Sequence, residues 1–455
     1  MTADSVAQPL RRRISSAGLW SMGQFGASLS VRLLSNMILT RMLLPEAFGM
    51  VAVVSVLTIA LALLSDLGIG QNVIVHNRGN EPAFLNTAWT VQVLRGLFIW
   101  SLAIMAAGLI TLLAARGVFS PGTVYVDPRL PAVLIVGSFI VVLQGLESTK
   151  VHQARRNLQI RRLTEIEFGV QILALAMTVL LAWYWQSIWA LVLGSVFSST
   201  IKTIATHLLL SGQPNRLGWE QQAWWEIFRF GRWIFFSSIV GVLFTTGDRL
   251  ILGGLVDVNT MGLYAIAALL LSVVQSAVTT LVGTVAFPAL SELARGDRQG
   301  FRQAYLRFQA AADGILGLAA GGIYICGPLV VSVLYDPRYA ESGAMLSILA
   351  VGLIGMRYCI VEQCYMACDE MRYFLASNVL RLLVMVVLLP LGHAYYGLEG
   401  ALTAIVLAQF AAWPVAWLFK AKHRLFDWRT EGAFIPAVAL GLLLGNLLLM
   451  LVNAF

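Results

Sequence analysis

Six basic residues of this 455-residue chain lie inside long apolar stretches: Arg32, Arg95, Lys202, Arg249, Arg357 and Arg381. A charge near the centre of a bilayer costs ~2.5 kcal/mol or more, so such a residue either reaches out from near a helix end or faces a wet interior. Lys202, Arg95 and Arg381 stand close enough to the ends of their stretches to reach out. Arg32, sixteen residues past Ser16, and Arg249, seventeen past Arg232, do not. A guanidinium is planar, permanently charged and matched to pairs of phosphate or carboxylate oxygens, so anion binding is the chemistry these positions offer. The neighbours agree. Gln24, Ser28, Arg32 and Asn36 recur every four residues and share one helix stripe. Ser238, Gly241, Thr245, Asp248 and Arg249 form a comparable stripe, and Gln275, Ser276, Thr279, Thr280 and Gly283 another. A small and polar stripe alone serves helix packing, whereas one carrying an arginine points to a water-filled cavity.

The acids inside or bordering the apolar stretches are Asp66, Glu147, Asp248, Asp313 and Glu362. Asp248 adjoins Arg249 and is a partner for Arg249 or Arg32. Asp313, deeper in its stretch, is either a site for a coupling ion or proton, or the partner of a basic neighbour. Asp66 and Glu147 sit where capping or surface pairing is expected. Deep basic residues outnumber deep acids, which favours an anionic ligand.

These residues need helices that cross a bilayer. The chain is 58% hydrophobic and 12% charged, with a mean hydropathy of +0.79, against roughly 25% charged residues in soluble proteins. Apolar runs of a length suited to a ~30 Å hydrocarbon core recur throughout. They predict spans at 16–40, 46–72, 86–114, 131–148, 163–184, 187–211, 232–255, 261–292, 303–334, 341–367, 372–392, 398–420 and 433–453. Of the 25 remaining Lys and Arg residues, 21 fall on one set of alternate connections, and Arg41, Arg116, Arg129 and Arg338 on the other. That bias puts the N-terminus in the cytoplasm. Arg11, Arg12 and Arg13 precede a run too long for a signal peptide, so the first span is read as uncleaved. The segment Gly218–Arg229, rich in Trp and Phe with interleaved charge, is expected to lie along the interface.

The net charge of +8 forms no continuous basic face, so nucleic acid is not an expected partner. Cys326, Cys359, Cys364 and Cys368 contain no CxxC pair and read as small packing residues, with no metal site and no cofactor. No nucleotide loop, HExxH or GxSxG is present, so an enzyme is not expected.

The turn Leu44–Val51 and the turn Val256–Tyr264 each open a long apolar helix with a hydrophobic-Gly step. This indicates two parallel six-span repeats, residues 1–213 and 214–423, followed by a further span in 424–455. Leu44–Gly49, Asp66–Asn72, Gly247–Gly253 with Met261–Tyr264, and Phe287–Leu290 together resemble the Wzx-type polysaccharide flippases of the multidrug/oligosaccharidyl-lipid/polysaccharide exporter superfamily. The resemblance covers about residues 14–423. It implies an all-α, V-shaped transporter of two six-helix bundles, working as a monomer in the bacterial inner membrane. It would move undecaprenyl-diphosphate-linked repeat units from the cytoplasmic to the periplasmic leaflet by alternating access, without ATP hydrolysis and with an H+ or Na+ gradient as drive. Membrane lipids, a polysaccharide polymerase and a chain-length regulator are the implied partners. Arg32 and Arg249 match the family's cationic cavity helices, with Arg95, Arg357 and Arg381 as weaker counterparts. Gln24, Ser28, Asn36, Thr245 and Gln275 would contact sugars. A multidrug or cation exporter of the same fold would want an acid-dominated cavity. A polysaccharide polymerase or ligase would want a long outside loop. The sequence has neither.

Overall fold

The computed structural model describes residues 23, 26–63, 68–76, 78–157, 159–294 and 298–454. Gln24 and Asp66 lie outside the described residues, and Thr245, Ser238 and Gly241 lie in a helix whose side chains there are also outside them. The described residues are helical and connecting segments, with no strand among them. The helices are α1 (26–42), α2 (Pro45–Leu63), α3 (Ile69–Val75), α4 (Pro82–Ala115), α5 (Leu130–Ser138), α6 (Ile140–Gly145), α7 (Lys150–Arg156), α8 (Ile160–Trp185) and α9 (Ile188–Leu208). They continue with α10 (Gln221–Gly253), α11 (Val258–Leu281), α12 (Phe287–Ala294), α13 (Arg298–Leu334), α14 (Glu341–Ala350), α15 (Gly352–Gly355), α16 (Cys359–Ala367), α17 (Met371–Phe410), α18 (Trp413–Lys422) and α19 (Trp428–Ala454).

Each of the thirteen expected spans contains helix, but several are broken. Gly68, left-handed at φ 55°, separates α2 from α3 where one span was expected over 46–72. The fourth is divided at Phe139 into α5 and α6, and α7, beyond its expected end at 148, is bent from them by 59°. A 3-10 turn, Met356–Tyr358, interrupts the tenth. Gly397, at φ 60° and ψ −146°, folds α17 back on itself and so separates the eleventh span from the twelfth. The interfacial segment expected at Gly218–Arg229 is not a separate helix. From Gln221 onward it is the start of α10. Glu220 and Glu226 bind Arg78, and Thr87 Oγ1 accepts from the Glu220 amide, which holds that end of α10 against α3 and α4. Ile69, Val73, Phe84 and Ile227 close the apolar contact beneath it.

The chain divides into two compact units, Met1–Pro121 with Tyr125–Val242, and Gly122–Val124 with Leu243–Phe455. Each contains a hairpin of the same form. In the first, α8 ends on exposed Trp183, Tyr184 and Trp185, and Gln186 at φ 47° turns the chain into α9. In the second, exposed Tyr395 and Tyr396 precede Gly397. Aromatic side chains at such ends suit the membrane–water boundary. In the connection between α4 and α5, burial raises the Asp127 carboxyl. The Arg129 hydrogen bonds outweigh that effect and hold it below its usual range. Arg129 also reaches Glu46 at 3.0 Å and ties this connection to the start of α2.

The last span, left without a partner by the sequence repeat, is not isolated. α19 runs along α13 on a glycine seam formed by Gly317 and Gly321 facing Ala437 and Val438, and by Gly441 and Gly445 facing Leu318 and Ile325. A Cβ on Gly321 would stand 2.5 Å from the Val438 carbonyl oxygen. Small residues four apart let two backbones approach this closely, which is how helices associate in lipid. Gly321→Leu is therefore expected to push the helices apart and destabilise the second unit by ~1–3 kcal/mol. A lower thermal midpoint in detergent checks this, and an unchanged midpoint refutes it.

Candidate functional site

Among its described residues the second unit contains a buried charge network that joins four separate elements. Tyr305, Gln309 and Asp313 follow one another at four-residue spacing on α13. Asp313 is 1% exposed and holds Arg357, from the 3-10 turn, in a two-pronged pair with Nε–Oδ1 at 3.1 Å and Nη2–Oδ2 at 2.7 Å. Gln309 donates to Asp313 Oδ1 and to the Arg357 carbonyl. On its other side Arg357 reaches Glu431 of α19 at 3.3 Å. Glu431 also accepts from the Tyr358 hydroxyl at 2.8 Å and pairs with Lys420 of α18. Trp417 in turn donates to the Tyr358 oxygen at 2.8 Å. The Lys420 ammonium lies over the rings of Tyr358 and Phe426. Two cations and two anions cancel, as buried charges must unless they are to cost several kcal/mol each.

Lys420 belongs by sequence to the connections read as cytoplasmic, and in the structure it is 1% exposed within the second unit. Lys150, of the same set, is 9% exposed and donates to the His207 carbonyl. For Asp313 the sequence left open an ion site or a basic partner, and here its oxygens are engaged by Arg357 and Gln309. Glu431 was not singled out at all. Its only sequence signal is an acid at the start of the last apolar run, eleven residues after Lys420.

The remaining candidates fall into separate places. Arg381, 6% exposed on α17, pairs with Glu362 of α16 at 2.7 Å. Asp248 accepts from the Tyr264 hydroxyl. Its other oxygen, and Arg249 Nε, are buried without a hydrogen-bond partner among the described residues. Gln275 is half-buried on α11, where its carbonyl accepts from Thr279. In the first unit, Arg32 is exposed on α1, and Asn36 donates to its carbonyl at 2.8 Å. The Ser28 carbonyl accepts from Gln171 of α8. Arg95 donates to the Ala62 carbonyl at 3.0 Å and lines a cavity of about 370 Å³ with Glu147 and Arg155. Glu147 pairs with Lys202 at 3.2 Å. The structure thus brings Asp313 together with Arg357, and Arg95 into a cavity wall, while Arg32, Arg249 and Arg381 occupy surroundings of their own.

Known proteins are similar to this chain in sequence or in fold. The chain is 22% identical over 410 residues to the lipopolysaccharide biosynthesis protein WzxC of Escherichia coli (strain K12), covering 88% of this chain and 79% of that one. It is 22% identical over 351 residues to the succinoglycan biosynthesis transport protein ExoT of Rhizobium meliloti (strain 1021), covering 77% and 67%. Its fold matches the solved structure of the lipid II flippase MurJ with a TM-score of 0.70 at 13% identity, over 95% of this chain and 92% of that one. The family described as polysaccharide biosynthesis protein matches residues 38–344, and the chain belongs to that family.

Proposed function

We propose that this protein is a lipid-linked oligosaccharide flippase that turns undecaprenyl-diphosphate-linked repeat units from the cytoplasmic to the periplasmic leaflet during polysaccharide biosynthesis. The observation that carries the reading is family membership over residues 38–344, set in a transporter fold of long apolar helices. Moving a diphosphate through a bilayer needs fixed cations at membrane depth. In this reading Arg32 and Arg249, each on the first span of its repeat, hold the diphosphate by alternating access, and the polar residues beside them contact sugar hydroxyls. The lobes comprise residues 1–213 and 214–423, with 424–455 as an additional span. The N-terminus faces the cytoplasm, as the distribution of Lys and Arg favours. A polymerase and a chain-length regulator take up the product, and an ion gradient drives the cycle.

Deleting the gene in its own bacterium is the direct test. Lipid-linked repeat units are expected to accumulate with their sugars on the cytoplasmic face, and a plasmid copy is expected to clear them. Polysaccharide made at the normal rate without the protein, and with no accumulated intermediate, would refute the reading.

A further inference from the structure

The first unit contains a cavity of its own, whose lining includes neither Arg32 nor Arg249. It opens where the end of α2 meets α3, α4, α6 and α7, and its volume is about 370 Å³. Its polar wall consists of the Arg95 and Arg155 guanidiniums, the His152 imidazole, and the amides of Gln71 and Gln144. Glu147 also faces it but is held by Lys202 at 3.2 Å, and Arg155, 48% exposed, lies 3.5 Å from Glu167. Two guanidiniums against the one Glu147 carboxylate leave the lining net positive. His152 Nδ1 is buried with no hydrogen-bond partner among the described residues.

The wall is rigidly built. Gln92 donates its amide to the carbonyls of Gln144, Gly145 and Glu147, and so fixes the corner between α6 and α7. The His152 ring lies flat against Gly70, where a Cβ would come within 2.8 Å of its Cε1. The size is at the small end of ligand pockets, ~300–1,000 Å³. It suits one head group and not a whole oligosaccharide. Guanidiniums at one side match phosphate oxygens, while the amides and imidazole match hydroxyls.

We infer that this cavity binds the diphosphate and first sugar of the cargo within the N-terminal unit alone, a step additional to the deep arginines. The inference rests on the flippase reading for the identity of the ligand, though not for the existence of the site.

Calorimetric titration of the full-length protein in nanodiscs tests it, with citronellyl diphosphate and inorganic pyrophosphate as probes. Wild type is expected to bind citronellyl diphosphate; in a protein carrying Arg32→Ala and Arg249→Ala, which removes the deep arginines, binding is expected to persist, and Arg95→Gln or Arg155→Gln added to that background to weaken it at least ~10-fold. Arg161→Gln, on the surface, is expected to leave it unchanged. Arg155 is half-exposed, so its variant remains informative if Arg95→Gln fails to fold. No binding by wild type, or full-strength binding by folded Arg155→Gln in that background, overturns the site. Pyrophosphate bound as tightly as citronellyl diphosphate overturns the assignment to a lipid-linked head group and identifies a free-diphosphate site instead. Normal polysaccharide export by an Arg155→Gln strain whose protein has lost binding overturns the use of the cavity in transport. A deletion strain with normal polysaccharide overturns the flippase reading and leaves the titration result standing.

Discussion

Arg357→Ala is expected to destabilise the second unit by ~3–5 kcal/mol, since it strands the Asp313 carboxylate in a site that is 1% exposed. Gln309 would remain as a donor to Asp313 but supplies no charge. Glu431 would keep Lys420 and the Tyr358 hydroxyl, so the loss falls mainly on Asp313. Thermal unfolding of the purified protein and its yield in membranes measure the effect. The double variant Asp313→Leu/Arg357→Met removes both charges and leaves no orphan. Replacing a buried pair by apolar groups is often neutral or stabilising, so this variant is expected to regain most of the lost stability. An Arg357→Ala protein as stable as wild type would show that the pair does not hold the fold. The stable double variant also separates structure from transport. Normal export by it limits the network to holding α13, α18 and α19 together, and failed export assigns the network a part in the cycle.

Arg32→Ala and Arg249→Ala are each expected to stop polysaccharide export while the protein still inserts. A hydrogen bond to a charged group contributes ~1.5–3 kcal/mol, so losing one guanidinium weakens diphosphate binding by on the order of 10- to 100-fold. Lysine at either position keeps the charge but loses the planar fork, so partial export is expected. Export from a chromosomal replacement strain, normalised to protein in the membrane fraction, is the measurement. Normal export from both alanine strains would remove these two residues from the binding site.

Much of the fold was legible because the bilayer imposes one dimension on the sequence. Span length follows from hydrocarbon thickness, and every predicted span contains helix. Breaks within spans were harder to see. Gly68 and Gly397 are visible in sequence, but a glycine inside an apolar run does not announce a positive φ, and only the backbone shows 55° and 60°. The burial of Lys420 is not legible for a related reason. It sits in Lys420–Arg424, a charged stretch that looks like any loop, and what buries it is Glu431 and the rings of Tyr358 and Phe426. The last span looked unpaired because the sequence repeat ends before it. Its partner is α13, more than a hundred residues earlier, and the signal was the spacing of Gly317, Gly321, Gly441 and Gly445.

By itself the sequence determined an all-helical membrane protein, the places of its spans and an excess of deep arginines over deep acids. Hydropathy and charge are properties of neighbouring residues, and a bilayer reads them locally. Tertiary structure alone decided which arginines are already answered. Arg357 meets Asp313 across 44 residues of chain, and Tyr358 meets Glu431 across 73. Arg381 meets Glu362, whereas Arg95 becomes one wall of a cavity. An ion pair in a low-dielectric interior depends on a few ångströms of packing, and linear spacing does not encode that distance.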